Sequence, residues 1–235
     1  MNDRTYNPRD WTQHPPYLDE GYKSTGLRAP KKPLVPLPET LSELTGPVFG
    51  HEAVQPLDND LTRNGAVNGA PLGEHIVVAG RVLDENGRPV PNTLIEVWQA
   101  NAAGRYIHRA DQHNAPLDPN FFGAGRCVTD ADGGYRFMSI KPGCYPWENH
   151  NKAFRPAHIH FSLFGRCFLT RLVTQMYFPG DPLLPIDPIF MGIPDEAARG
   201  RLISKYSLDL TEHGHALGFE FDIVLRGCNA TPFEG

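Results

Sequence analysis

The chain has 235 residues, with 22 basic against 27 acidic side chains and a formal net charge of −5. Hydrophobic residues make up 40% and charged residues 21%, which is the balance of a globular protein with one sizeable core. No run of like charge and no apolar stretch of about 18 residues occurs, which argues against a nucleic-acid surface and a membrane-spanning helix. The opening MNDRTYNPRDW has no apolar secretion core, so the expected location is cytoplasmic.

Residues 1–70 read as an irregular arm. Eight prolines from Pro8 to Pro47 forbid long helices and central strands there, leaving at most a helical turn over PETLSEL (38–44). Such an arm is expected to wrap a core or lie in a subunit interface. Residues 71–235 read as one β-rich body. EHIVVAGRVLD (74–84) predicts a strand, Asn86-Gly87 a turn, and TLIEVWQA (93–100) a second strand. In that second strand Leu94, Glu96 and Trp98 share one face, and Ile95 and Val97 the other. GRCVTDADGGYRFMSI (125–140) predicts strand, tight turn and strand. PAHIHFSLFG (156–165), RLVTQMYF (171–178) and GFEFDIVLRG (218–227) add three more. The fold class is therefore all-β: a β-sandwich of about seven or eight main strands, with long loops at one end. One helix is predicted over PDEAARGRLISKY (194–206), started by Pro194 and Asp195. Cys127, Cys144, Cys167 and Cys228 form no CxxC pair and read as buried thiols.

The segment GCYPWENHNKAFRPAHIHF (143–161) concentrates the chemistry. On a strand, His158 and His160 project to one side and Ile159 to the other. That makes either a hydrogen-bonded histidine pair or half of a metal site. His213 and His215 have the same spacing but lie in TEHGHALG, which reads as surface loop. The nearest oxygen donor to the first pair is Tyr145, extended before Pro146 and preceded by a possible hinge at Gly143. As a phenolate beside imidazoles it suits Fe(III) better than zinc or copper(I); otherwise it is a turn tyrosine packed on a neighbouring loop.

WQANAAGRY (98–106), GRCVTDADGGYRF (125–137), KPGCYPW (141–147) and RPAHIHF (155–161) together resemble the intradiol ring-cleaving dioxygenases, over roughly residues 50–228. That resemblance implies one non-haem Fe(III) per chain, held by Tyr106, Tyr145, His158 and His160. It implies Tyr145 and Arg155 as catalytic residues. Tyr22, Arg28, Trp147, Gln175 and Ile189 are the implied substrate-binding residues, with Trp98 packing beside the site. The arm's GYKST (21–25) and the late LRG (225–227) are similar to the iron-bearing beta-type chain within the family. This implies protocatechuate and O2 as substrates, 3-carboxy-cis,cis-muconate as product, and an alpha-type chain as partner in a hetero-oligomer. Cys144 stands where a small residue or proline is expected, and it is given no ligand role. Two other readings compete: a catechol or hydroxyquinol enzyme of the same chemistry, and a non-catalytic transthyretin-like module, which VLDENGRPVPNTLIEVW and VTDADGGYRF also resemble.

Overall fold

The computed structural model describes residues 10–32, 53–151, 153–164 and 171–233, with Trp11 and Arg28 described by their backbone only. The strands are β1 (His75–Leu83), β2 (Leu94–Trp98), β3 (Ala124–Val128) and β4 (Gly134–Ile140). After them come β5 (Tyr145–Trp147), β6 (Ala153–Arg155), β7 (His158–Phe164) and β8 (Leu172–Tyr177). The last three are β9 (Lys205–Glu212), β10 (Ala216–Glu220) and β11 (Ile223–Val224).

Two sheets face each other. In the first, β1 pairs antiparallel with β4 on one side and parallel with β10 and β11 on the other, and β9 lies outside β10. The second is antiparallel throughout, in the order β3-β2-β7-β8. β5 and β6 form a separate small hairpin. Both turns expected from the sequence are present, and each carries the chain from one sheet to the other; the first also closes a short local hairpin, with Leu83 bridged to Pro89. Gly133, in the second turn, has φ +72°, and a Cβ there would meet the Val82 carbonyl at 2.7 Å. That position needs glycine.

The core lies between the sheets. Ile76, Val78 and Phe137 from the first meet Ile95, Ile159 and Phe161 from the second. Each such side chain contributes about 1.5–3 kcal/mol on leaving water. A smaller apolar cluster, including Tyr177, Leu184, Phe190 and Ile193, supports the 181–203 segment beside β8. This second cluster holds one wall of the site described below.

Three expectations need correction. The predicted helix over 194–206 is only Glu196–Gly200, with Asp195 accepting from the Ala197 amide at 2.9 Å. Five residues cannot sustain a longer helix alone, and Lys205 and Tyr206 instead begin β9, paired with Glu220 and Phe219. That strand and the short β5–β6 hairpin lie outside the predicted strands, although the main strands among the described residues number eight, as expected. Of the cysteines, Cys127 is buried but Cys144 and Cys228 are exposed; Cys167 lies outside the described residues, as does PETLSEL. Among the described residues no helix is long and apolar enough to cross a membrane.

The described part of the arm is packed onto the body. Tyr22 bridges to His150, and the Lys23 amide donates to the Asn149 carbonyl at 2.8 Å. His14 stacks on Phe233 at 4.3 Å.

Candidate metal centre

The site grows on the outer face of the second sheet. Along β7, Ile159 and Phe161 enter the core, so the pleat turns His158 and His160 outward. Register sets their neighbours: Trp98 and Gln175 lie opposite His160, and Tyr177 lies opposite His158. The Trp98 indole stacks on the His160 ring, centroids 4.8 Å apart and planes 3° from parallel. Trp98 therefore clamps a site residue as well as packing.

His158 is buried, and its Nδ1 lies 2.7 Å from the Pro156 carbonyl. That acceptor assigns the proton to Nδ1 and leaves the Nε2 lone pair facing the site. Burial, then the Arg155 cation, then His160 hold the His158 pKa well below the usual imidazole range. The ring is thus neutral near pH 7, the form a metal needs.

Two loops bring the phenols to these imidazoles. After β2, Asn101 Oδ1 accepts from the amides of Ala103 and Arg105, and the Tyr106 amide donates to Asp111 at 2.8 Å. Tyr145 comes from β5. The loops interlock through two glycines: a Cβ on Gly104, at φ +78°, would meet the Cys144 carbonyl at 2.2 Å. One on Gly143 would meet the Ala102 carbonyl at 2.4 Å. Gly143 is therefore a point of close packing rather than the hinge its sequence position suggests. Cys144 is exposed at this junction.

The four donors converge. Tyr106 Oη lies 3.1 Å from His160 Nε2 and 3.5 Å from His158 Nε2, and Tyr145 Oη lies 3.4 Å from His158 Nε2. Bonds of about 2.0–2.1 Å meeting at roughly 90–115° place their donor atoms about 2.9–3.5 Å apart, so the set fits a first-row metal ion. Among the described residues no three His, Cys, Asp or Glu side chains gather elsewhere in a metal-holding cluster. Two hard phenolates with two imidazoles favour a trivalent ion such as iron over zinc.

Beside these donors lies a cleft lined by Trp147, Ile189, Tyr22, Pro15 and Pro16, among others. Trp147 shares a face of β5 with Tyr145, and Tyr22 meets its ring edge-on at 4.5 Å. The Arg155 guanidinium lies 5.5 Å from the Trp147 ring and opposite Tyr145 across the hairpin. Gln175 is buried, and its Nε2 has no hydrogen-bond partner among the described residues. The structure thus gathers every sequence-predicted site residue except Arg28, whose side chain lies outside the described residues. His213 and His215 are exposed in the turn between β9 and β10.

Sequence reasoning missed Asp187 and Tyr177, which form a buried network with Arg155 and Gln175. The available signal was a lone carboxylate inside the apolar run LLPIDPIF (183–190). It also missed Pro15 and Pro16, which nothing in the sequence marks.

A dioxygenase family model matches residues 44–227, and a model for the N-terminal segment of the protocatechuate 3,4-dioxygenase beta subunit matches residues 7–40. The chain belongs to the intradiol dioxygenases, ring-cleaving oxidoreductases that depend on non-haem iron. It is 67% identical to the protocatechuate 3,4-dioxygenase beta chain of Burkholderia cepacia, over 97% of this chain and 96% of that one. The alpha chain of the Pseudomonas putida enzyme is 33% identical, over 86% of this chain and 98% of its own. Among solved structures, the dioxygenase domain of a carbohydrate-binding fusion from Streptomyces sp. SirexAA-E is 25% identical with a TM-score of 0.50. That match covers 77% of this chain and 97% of the domain.

Proposed function

We propose that this chain is the iron-bearing subunit of an intradiol dioxygenase that opens protocatechuate with O2 to 3-carboxy-cis,cis-muconate. Tyr106, Tyr145, His158 and His160 are the ligands of one Fe(III). The observation that carries this reading is the convergence of two phenols and two imidazoles at 3.1–3.5 Å beside an aromatic-lined cleft. A ferric ion held by these four residues would supply the redox chemistry that renders a catechol ring reactive toward dioxygen.

The chain's own groups supply the rest. Trp147 and Ile189 flank the substrate ring, and Tyr22 and Arg28 of the arm serve its carboxylate end. Tyr145 Oη, as phenolate, takes one catechol proton and is the general base. Arg155 presents a cation where negative charge develops on the ring, and Gln175 Nε2 offers a donor that has no other partner among the described residues. Pro156 and Trp98 fix the two imidazoles, so the donors are arranged before substrate arrives. The arm, residues 1–70, is an interface segment that joins the sandwich of residues 71–235 to an alpha-type chain. The same family has members acting on catechol and hydroxyquinol, which lack the substrate carboxylate.

The test is co-expression with an alpha-type chain, followed by iron analysis and O2 uptake. The expected result is about one iron per chain, a visible tyrosinate-to-iron band, and turnover of protocatechuate in preference to catechol. Colourless, iron-free protein would sink the proposed ligand set, and preference for catechol would sink the proposed substrate.

A further inference from the structure

We propose that Asp187 is a positioning residue that sets both the Arg155 cation and the Ile189 wall of the ring pocket. The proposal deepens the ring-cleaving reading above and rests on it. Asp187 is fully buried and lies at the start of the helical turn Pro188–Met191. A carboxylate in such a place is stable only when it is charge-paired and hydrogen-bonded. Here both of its oxygens are used. Oδ1 lies 2.9 Å from Arg155 Nε and accepts the Ile189 amide at 3.4 Å. Oδ2 lies 3.1 Å from the Tyr177 hydroxyl, whose single proton it shares with Gln175 Oε1 at 2.8 Å.

Tyr177 completes the frame. It is fully buried, and burial followed by the Asp187 charge keeps its phenol pKa well above the usual range, so it remains a donor. Its oxygen accepts from Arg155 Nη2 at 3.1 Å, and the same Nη2 donates to Gln175 Oε1. The guanidinium is therefore held by the Asp187 charge beside Nε and oriented by the hydrogen bonds of Nη2, which sets it against Trp147.

One carboxylate thus joins two elements distant in sequence. β6 carries Arg155 opposite Tyr145, and the turn after Asp187 carries Ile189. The distance from the reacting ring to its stabilising cation and the width of the cleft are set by the same group. An ordinary structural ion pair would tie two surfaces without governing either quantity.

The test uses the assembled holoenzyme. Asp187→Asn keeps size and an acceptor but removes the charge. It is expected to leave iron content and the resting visible spectrum unchanged, and to lower kcat about 100-fold with KM raised less than about tenfold. Asp187→Glu should restore part of the loss. In an Arg155→Gln background the same Asp187→Asn change is expected to cost less than about threefold, because the group it positions is gone. A similar factor in both backgrounds, or a kcat within about twofold of the parent, would overturn the proposal. If Asp187→Asn fails to fold or loses iron, Tyr177→Phe decides. Its expected loss is about tenfold, largely absent beside Arg155→Gln, and equal losses in the two backgrounds would overturn the proposal. If the parent turns over a different catechol, the substrate assignment fails while the comparison, repeated with that catechol, still stands or falls on its own.

Discussion

The chain contains two His-X-His sequences, and the structure treats them in opposite ways. His158 and His160 bracket Ile159, which is fully buried between the sheets on a strand paired along both edges. Their direction is dictated by the core, and Trp98 and Pro156 fix the rings. His213 and His215 bracket Gly214, at φ +73° in an exposed turn, and His215 lies 4.0 Å from the Glu212 carboxylate. Spacing brings two imidazoles close in either case. What makes one pair a candidate metal site is the residue between them, because a buried isoleucine orients its neighbours and a turn glycine leaves them to solvent.

The largest expected effect tests that contrast directly. Replacing His158 and His160 together by alanine should reduce bound iron and O2 uptake to background. Replacing His213 and His215 should leave both within about twofold of the parent, as exposed side chains usually do. Equal loss of iron from the two double variants would show that spacing alone had been sufficient.

The two tyrosines extend the comparison to the loops. Tyr145 lies on the hairpin opposite Arg155, whereas Tyr106 is held from its own amide by Asp111. With Gly143 packed against Ala102, any displacement of Tyr145 must come from its side chain and not from a backbone hinge. Tyr145→Phe is expected to bind iron and substrate but to slow anaerobic substrate chelation by about 100-fold or more, since a positioned base is lost. Tyr106→Phe should instead shift the visible band of the resting protein. Stopped-flow spectra decide, and a parent-like rate in Tyr145→Phe with a slow Tyr106→Phe would reverse the two roles.

The sequence was most legible where one short rule governs a residue. Alternation in PAHIHF placed His158, Ile159 and His160 on their faces, and Asn86-Gly87 and Asp-Gly-Gly marked real turns. It did not reveal that those turns cross between sheets, because turn chemistry is local and sheet membership is decided by long-range pairing. The helix read over 194–206 ends at Gly200, because the chain from Lys205 onward is drawn into β9 by pairing with β10, which no local pattern announces. Asp187 escaped notice because its partners, Arg155 and Tyr177, are brought to it only by the folded hairpin and β8. The two tyrosine ligands entered through family resemblance, since no spacing rule links Tyr106 to Tyr145.

The two bracketed residues give a stability test of the same contrast. Ile159→Ala removes core contacts on both sides of the sandwich and should cost about 2–5 kcal/mol. Gly214→Ala meets no atom within 4 Å, so only its left-handed backbone opposes it, at about 1–2 kcal/mol. Urea midpoints would measure both. A larger loss at Gly214 would mean that the turn, and not the buried strand, is the constrained element.

The smallest effect concerns thiols and carries the contrast away from the metal. Cys127 lies on β3, buried in the core beside Ile95 and Phe161, and burial pushes its pKa up to about 12. At pH 8 only about one molecule in ten thousand would carry a thiolate there, and the thiolate is the reactive form. Cys144 and Cys228 are exposed and face no such barrier to access. Iodoacetamide applied to the folded protein should therefore label Cys144 and Cys228 and leave Cys127 unmodified until denaturant is added, as read by peptide mass mapping. Cys144 adjoins Tyr145 in sequence but presents its side chain to solvent, so its alkylation is expected to leave bound iron and the visible band in place. Labelling of Cys127 at the rate of Cys144 would mean that the sandwich opens far more readily than its packing implies. Loss of iron on modifying Cys144 would show that the interlocked glycine loops transmit surface changes to the metal.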